Sequence, residues 1–208
     1  VVMGLSGSGK SWLCDGLVEP LEAVRLRSDV ERKRLHAGAV TAGPTSLPGA
    51  GMYDRASNTA TYRQLARFAR TGLLAGFPML VDAAFLERER RQVFRHLAQR
   101  CQAAFLLLQV SAPVALLQAR LAARAQAGSD PSDADQAVLA YQMTHVGAQG
   151  LSADELDEAV AVVNDVEFGG EALAALASRL RERLQRQARA LPDGQGTVLL
   201  SDRQAPVQ

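Results

Sequence analysis

The sequence is poor in lysine, cysteine and aromatic side chains. It contains two lysines, Lys10 and Lys33, and all its other basic residues are arginines. Its two cysteines, Cys14 and Cys101, have neither CxxC nor metal-ligand spacing, which argues against a zinc–cysteine centre and favours structural thiols in a reducing compartment. No apolar run approaches the ~20 residues of a membrane span and no signal peptide precedes the first motif, so we expect a cytoplasmic protein without a membrane partner.

The remaining composition is that of one globular α/β domain. The formal net charge of +1 provides no global field that would favour nucleic acid as a partner. Short apolar segments alternate with helical patterns, which predicts a parallel sheet with helices on both faces. We place the domain at residues 1–190 and a flexible tail at 191–208. The apolar segment before the first glycine is short, so we expect a clipped first strand and a domain taken from a longer polypeptide.

Residues 4–11, GLSGSGKS, match the phosphate-binding pattern G-x-x-x-x-G-K-[ST] in full, and we call them the phosphate loop. Glycines let the backbone curl so that successive N–H groups point at one anion, and the helix that follows adds its positive end. In this pattern Lys10 reaches the β- and γ-phosphates, and the Ser11 hydroxyl ligates Mg²⁺. The sequence therefore predicts that ATP is bound with Mg²⁺, through Gly4, Ser6, Gly7, Ser8, Gly9, Lys10, Ser11 and Trp12.

Two aspartates follow predicted strands and are expected near this loop, because the carboxyl ends of parallel strands meet at one edge of the sheet. Asp29 follows the predicted second strand and could accept or orient the proton of an attacking hydroxyl; alternatively, it N-caps the helix predicted at 30–36. Asp82 ends a short apolar strand, as a Walker B carboxylate that holds Mg²⁺ through water does. A helix-capping role is the alternative for Asp82.

Arg120 and Arg124 lie four residues apart on a predicted helix and therefore share a face. The helix-breaking segment at 127–132 follows them, which is typical of a lid whose arginines close over a transferring phosphate. A solvated basic face is the alternative.

Three further expectations concern the surroundings of the site. The segment at 37–52 is rich in Gly, Ala, Pro, Ser and Thr, which predicts a mobile substrate loop. Ser57 is a suitable N-cap for the next helix. Arg88, Arg90 and Arg91 have the spacing of a solvated surface.

The segments GLSGSGKS, RSDVERKRL, MLVDAAFLERERRQVF and QARLAARAQAGSDPSDAD resemble a P-loop kinase-like family often labelled AAA-type ATP-binding domains. Members are frequently fused to an aminoglycoside-phosphotransferase-like domain, which is therefore a possible partner. Related enzymes include polynucleotide 5′-kinases, gluconate kinase, chloramphenicol phosphotransferase and zeta toxins. The resemblance implies a three-layer P-loop NTPase fold, with a five-stranded parallel sheet in the order 2-3-1-4-5 and a small helical lid.

For individual residues, the resemblance implies that Asp29 is the catalytic base and that Arg32 binds a substrate phosphate, as in the D-x-x-R pattern of polynucleotide kinases. It also implies that Arg120 and Arg124 are lid arginines. The chain departs from the D-x-T-N pattern of polynucleotide kinases after Asp82, where it has Ala-Ala-Phe. This departure argues against a polynucleotide acceptor.

The resulting hypothesis is an ATP-dependent kinase that transfers the γ-phosphate to a hydroxyl of a small-molecule acceptor. Two alternatives remain at this stage. The domain could be a regulatory ATP-binding or ATPase module of a larger protein, or it could be a polynucleotide 5′-hydroxyl kinase. The near-neutral charge gives the last of these little support.

Overall fold

The structure is a computed structural model that describes residues 1–36, 55–127, 135–145, 150–165 and 168–191. Its strands are β1 (Val2–Met3), β2 (Val24–Arg27), β3 (Met79–Asp82), β4 (Leu107–Ser111) and β5 (Ala159–Val163). Its helices are α1 (Lys10–Val18), α2 (Ser28–His36), α3 (Arg55–Leu74), α4 (Arg88–Arg100), α5 (Val114–Ala127), α6 (Gln136–His145), α7 (Ala153–Leu156) and α8 (Gly170–Arg189). Strands and helices alternate in the way that the apolar segments predict, except that the short helix α7 is additional.

The five strands form one parallel sheet in the order β2-β3-β1-β4-β5, which confirms the predicted order. Strand β1 is central, because Val2 pairs with Asp82 of β3 on one side and with Leu108 of β4 on the other. The chain that leaves β1 therefore enters the crevice between the carboxyl ends of β3 and β4. This is the point in an open α/β sheet where ligands bind.

Apolar side chains cover both faces of the sheet. On one face, Leu17 of α1 and Leu180 of α8 belong to one buried cluster with Leu108 of β4. On the other face, Leu65 of α3 belongs to a second cluster with Leu107, because successive side chains of a strand point to opposite faces. Each fully buried leucine stabilises the fold by about 1.5–3 kcal/mol relative to an exposed one. These two buried clusters fix the helices against the sheet, and the loops at the carboxyl ends of the strands begin from this packed core.

The structure corrects one sequence prediction near this edge and leaves others untested. Helix α3 already begins at Arg55, so Ser57 is not its N-cap; its hydroxyl instead lies 2.6 Å from Nε2 of His36. The predicted substrate loop at 37–52, most of the breaker at 127–132 and the tail from 192 lie outside the described residues. Among the described helices, none combines the length and the apolar composition that a membrane span requires.

Candidate active site

The phosphate loop connects β1 to the N-terminus of α1. Gly7 and Gly9 have φ angles of 82° and 85°, in the left-handed region that favours glycine. A Cβ atom on Gly7 would lie 2.7 Å from the carbonyl oxygen of Leu117, so the α5 backbone leaves no room for a side chain there. The pattern of glycines in the motif is therefore required both by the backbone angles and by the packing.

The start of helix α1 is open to an anion. Its N-cap, Gly9, provides no side-chain cap, and the first hydrogen bond onto the cap runs from the Leu13 N–H to the Gly9 carbonyl at 2.9 Å. The N–H groups of Lys10, Ser11 and Trp12 precede that bond and have no partner within the helix. A phosphate group placed at this end would accept hydrogen bonds from these donors and interact with the positive end of the helix dipole. The predicted phosphate contacts thus fit the local geometry.

The outer side of the phosphate loop is held by two side chains from distant segments. Asn164, which follows β5 and is 3% exposed, donates a hydrogen bond from Nδ2 to the Ser8 carbonyl at 2.8 Å. Arg120 of α5 donates from Nη1 to the Asn164 carbonyl at 3.1 Å and to the Gly7 carbonyl at 3.4 Å. Because these donors bind the loop carbonyls, the carbonyls point away from the side on which phosphate would bind. Sequence analysis missed Asn164, although a polar residue at the end of an apolar strand was a usable signal.

The side chain of Lys10 lies where several charges converge. Its Nζ donates to the Leu5 carbonyl at 2.8 Å. Burial lowers the pKa of Lys10, while the carboxylates of Asp82 and Asp29 oppose that shift and Arg124 adds to it. The pKa of Lys10 therefore responds to the charges of both aspartates and of Arg124. Sequence analysis expected this convergence from the ends of β2 and β3.

Asp82, at the end of β3, is 4% exposed and lies against Ser11 of the phosphate loop. The Ser11 hydroxyl donates to Oδ2 of Asp82 at 2.9 Å, and Arg25 of β2 donates to the same oxygen at 2.5 Å. Arg25 also pairs with Asp15 of α1 and was not predicted as part of the site. Asp82 therefore caps no helix. A hydroxyl beside a buried carboxylate is a hard-oxygen donor set of the kind that Mg²⁺ prefers, so the residues fit the predicted metal.

Asp29 and Arg32 face each other on the first turns of α2. Because the helix begins at Ser28, Asp29 lies inside its first turn and is not the N-cap that the alternative interpretation required. Arg32 is buried and donates from Nη1 to Oδ1 of Asp29 at 2.9 Å. Its Nη2 donates to the Asn58 side-chain oxygen of α3 at 3.1 Å. The pair thus lies within α2 and does not begin it, and the Asp29 charge opposes the lowering of the Lys10 pKa.

Helix α6 makes a contact with the phosphate loop that sequence analysis did not predict. The Gln142 side-chain oxygen accepts a hydrogen bond from the Ser6 N–H at 2.8 Å. One loop amide that could bind a phosphate is therefore already hydrogen-bonded to a side chain of α6.

The side chain of Trp12 is on the surface: it is 48% exposed, and its ring meets that of Phe168 edge-on at a centroid distance of 6.1 Å. Its predicted contact with the nucleotide stays a prediction.

The three arginines at the start of α4 have different environments. Arg88 lies on the surface, as predicted, and pairs with Asp154. Arg91 is 1% exposed, so its assignment to a solvated surface was wrong. Both ends of its guanidinium donate to the Glu155 carboxylate, at 2.6 and 2.8 Å, and Nη1 also donates to the Phe85 and Leu86 carbonyls.

Arg90 is also more buried than predicted. Its side chain is 15% exposed, and its guanidinium carbon lies 4.3 Å from the centroid of the Tyr62 ring. It donates to the Asn58 carbonyl at 3.3 Å and to Glu87 at 2.9 Å. Arg90 is therefore part of the same group of side chains as Arg32, through their shared contact with Asn58.

Several solved structures are similar to this chain in fold. A protein from Chloroflexus aurantiacus whose assignment as a kinase is provisional superposes with a TM-score of 0.66 and 18% identity, over 88% of this chain and 96% of that one. A sugar kinase from Janibacter sp. superposes with a TM-score of 0.59 and 19% identity, over 91% of this chain and 95% of that one. The APS kinase of Mycobacterium tuberculosis, solved with AMPPNP and APS, superposes with a TM-score of 0.56 and 23% identity, over 88% of this chain and 95% of that one. These similarities show a shared kinase-like P-loop fold.

The sequence comparisons identify the family. An uncharacterized protein of Mycobacterium tuberculosis is 32% identical over 140 residues, which are 67% of this chain and 28% of that protein. The chain thus spans little more than a quarter of the length of the curated relatives it matches. Residues 1–149 match the sequence model of a family described as an AAA domain. The chain therefore belongs to this AAA-domain family, in its P-loop kinase-like form.

Proposed function

We propose that the protein is a kinase that transfers the γ-phosphate of ATP to a hydroxyl group of a small molecule. The observation that carries this proposal is the position of Asp29. It lies within electrostatic range of the phosphate-loop lysine, on the side of β2, and it is held there by Arg32. A module that only bound or hydrolysed nucleotide would not need a carboxylate on the acceptor side of Lys10.

The positions of the charged groups give each a role in the transfer. The acceptor O–H loses its proton to the Asp29 carboxylate while its oxygen forms a bond to the γ-phosphorus. The bond between that phosphorus and the oxygen bridging to the β-phosphate breaks, and ADP leaves with that oxygen. Lys10, at the start of α1, stabilises the charge on the transferring group, and we assign the same role to Arg124, whose charge acts on the pKa of Lys10. A carboxylate is a weak base, but positioning and charge stabilisation dominate in this class of reaction.

The remaining predicted residues support the nucleotide. Ser11 and Asp82 would hold Mg²⁺, which would supply positive charge to the phosphates of the nucleotide. Arg120 keeps the loop carbonyls turned outward through its contacts with Gly7 and Asn164. We assign Arg120 this supporting role, and its predicted contact with the transferring phosphate stays a prediction.

The charge of the cleft supports an anionic donor substrate. The whole chain has a net charge of +1. Among the described residues linked by contacts around the phosphate loop and α2, more are cations than carboxylates, and a local excess of this kind attracts phosphates. The cations are Lys10, Arg25, Arg27, Arg32, Arg90, Arg120 and Arg124, and the carboxylates are Asp15, Asp29, Asp82 and Glu87. The named activities of the sugar kinase and the APS kinase, which share the fold, support a small acceptor.

The test is transfer of labelled γ-phosphate from ATP in the presence of Mg²⁺ to pools of sugars, hydroxy acids, aminoglycosides, nucleosides and a 5′-hydroxyl oligonucleotide. Wild-type protein is compared with Asp29→Asn, which keeps the shape of the side chain but cannot accept the proton. We expect wild type to label one small-molecule pool and Asp29→Asn to be about 10²- to 10⁴-fold slower, with unchanged ATP binding. Asp157→Asn, an exposed aspartate after α7, is the matched control and should behave as wild type.

Three results would contradict the proposal. Transfer at the wild-type rate by Asp29→Asn would remove Asp29 from the reaction. ATP hydrolysis that Asp29→Asn leaves unchanged, with no pool labelled, would favour a regulatory ATPase module instead. Label in the oligonucleotide alone would replace the small acceptor with a polynucleotide.

A further inference from the structure

Trp12 is the only tryptophan of the sequence, and it lies in the first turn of α1, directly after the phosphate loop. Its backbone N–H is one of the donors at the open start of the helix, so a phosphate bound there contacts the same residue that carries the indole. The side chain is nevertheless 48% exposed. The indole is therefore a large apolar surface at the edge of the proposed nucleotide site.

The indole is braced by residues at the start of α8. Its ring meets that of Phe168 at a centroid distance of 6.1 Å and an interplanar angle of 78°. Phe168 is partly buried and packs against the core cluster between α1, α8 and the sheet. One turn further along α1, a Cβ atom on Gly16 would collide with the side chain of Leu173 in α8, so the two helices touch there. The close contact between α1 and α8 therefore fixes where the ring of Trp12 lies.

The contact with Phe168 leaves part of the indole uncovered. When two rings meet at 78°, the edge of one contacts the face of the other, so Phe168 covers at most one face of Trp12. The exposure of the side chain shows that much of the ring is in contact with water. Flat aromatic faces bind nucleobases by stacking, which removes apolar area of both partners from water. The uncovered surface thus has the chemistry of a base-binding platform.

The strand order gives the direction in which a nucleotide would run across the loop. In the proposed reaction, Asp29 and Asp82 act at the γ-phosphate, and they follow β2 and β3 on one side of the central strand β1. Phe168 follows β5 on the other side of β1. With the γ-phosphate near the two aspartates and the other phosphates on the amides at the start of α1, the nucleoside lies toward the β5 side. This is the side on which the ring of Trp12 contacts Phe168.

We propose that the base of the bound nucleoside triphosphate stacks on the indole of Trp12, and that Phe168 holds the ring in position for it. This inference rests on the proposed function, which it deepens by assigning the residue that binds the base. Stacking needs no hydrogen bonds to the base, because every base has a π face. Trp12 therefore provides affinity for ATP and GTP alike.

The test compares nucleoside triphosphates with inorganic tripolyphosphate, which provides the phosphates without a base. Dissociation constants are measured by calorimetry in the presence of Mg²⁺ for wild type, Trp12→Ala and Phe77→Ala. Phe77 is the matched control, because it is 47% exposed but precedes β3, at the edge of the sheet opposite the phosphate loop. We expect Trp12→Ala to weaken ATP and GTP binding about 5- to 150-fold and to leave tripolyphosphate binding unchanged. Phe77→Ala should bind all three ligands as wild type does.

Two further measurements separate stacking from a structural role of the side chain. Trp12→Phe keeps an aromatic face and should keep most of the ATP affinity, whereas Trp12→Leu keeps apolar volume without that face and should lose it. Trp12→Leu also replaces Trp12→Ala if that variant fails to fold. Because the chain has one tryptophan, the indole fluorescence of wild type reports on this ring alone. ATP should quench that fluorescence strongly, and tripolyphosphate should change it little.

The outcomes separate failure of this inference from failure of the proposed function. Equal weakening of ATP and tripolyphosphate binding in Trp12→Ala would overturn the stacking contact, because the residue would then act through the loop. Unchanged ATP affinity in Trp12→Ala would overturn it as well, and transfer to a hydroxyl by wild type would leave the kinase intact in both cases. Selective loss of ATP affinity in Trp12→Ala, with no transfer to any hydroxyl by wild type, would overturn the kinase and leave the base contact intact.

Discussion

Asn164→Ala isolates the contribution of the side chain that holds the outer side of the phosphate loop. Asn164 is 3% exposed, and its Nδ2 donates to the carbonyl of Ser8, a residue with no exposed surface. Alanine removes the donor and leaves a buried carbonyl without its partner, which costs about 1–3 kcal/mol. For a domain of this size that corresponds to a fall of about 2–12 °C in the unfolding temperature. The Arg120 contact uses the backbone carbonyl of residue 164, so the substitution leaves that acceptor in place.

The substitution should affect nucleotide binding as well as stability. Once the Ser8 carbonyl can rotate, the loop amides are no longer fixed toward one point, and we expect ATP affinity to fall on the order of 10-fold. Urea unfolding measures the first effect and a nucleotide titration the second. Ser178→Ala is the control, because the Ser178 hydroxyl is exposed and bonds only within its own helix to the Ala174 carbonyl at 3.2 Å. Asn164→Ala with wild-type stability and ATP affinity would refute the reasoning.

The remaining predictions concern the contact of Gln142 with the phosphate loop and the buried pair of Arg91 and Glu155. Gln142→Ala should raise ATP affinity by about 5-fold, since it frees the Ser6 N–H from one hydrogen bond. Unchanged or weaker binding in a nucleotide titration would show that the Gln142 side chain and the nucleotide do not compete for this N–H. Arg91→Met should lower the free energy of unfolding by about 3–5 kcal/mol at pH 7, because it leaves the buried carboxylate of Glu155 unpaired. Burial alone would raise the pKa of Glu155, but hydrogen bonds, led by those from Arg91, bring it from 4.5 to about 2. The stabilisation by this pair is therefore present above about pH 4.5 and lost as the pH falls towards 2. Urea unfolding should accordingly show a smaller difference in the free energy of unfolding between wild type and Arg91→Met at pH 3 than at pH 7. An equal difference at both pH values would exclude the ion pair as the cause of the destabilisation.

The nucleotide half of the site was predictable because its determinants are local. The glycines, Lys10 and Ser11 are contiguous, and their spacing alone specifies a loop that ends at a helix N-terminus. The two aspartates were found because each ends or follows a strand, and the strands of a parallel sheet end at one edge. The strand order itself came from the family resemblance, since periodicity does not say which strands are neighbours.

The residues that sequence analysis missed or misplaced depend on contacts that are distant in the sequence. Asn164 binds a loop residue 156 positions away, and Gln142 binds one 136 positions away. Arg91 belongs to a stretch with the composition of a surface helix, and only its pairing with Glu155, 64 residues further on, explains its burial. Arg25 was missed because arginine on a short edge strand gives no local sign that it will reach Asp82.

The division between the two halves of the site determines where substrate specificity can be sought. The nucleotide half is built from one continuous segment and two strand ends, so any chain with this motif and this sheet order will present much the same phosphate site. The acceptor half depends on how α2, α3 and α4 pack, and on which side chains they bring to Asn58. Substitutions there can alter the acceptor without disturbing the phosphate loop. If the proposed function holds, a change at Arg90 should affect the acceptor more than ATP binding, since its contacts within the described part of the chain are with Asn58, Tyr62 and Glu87.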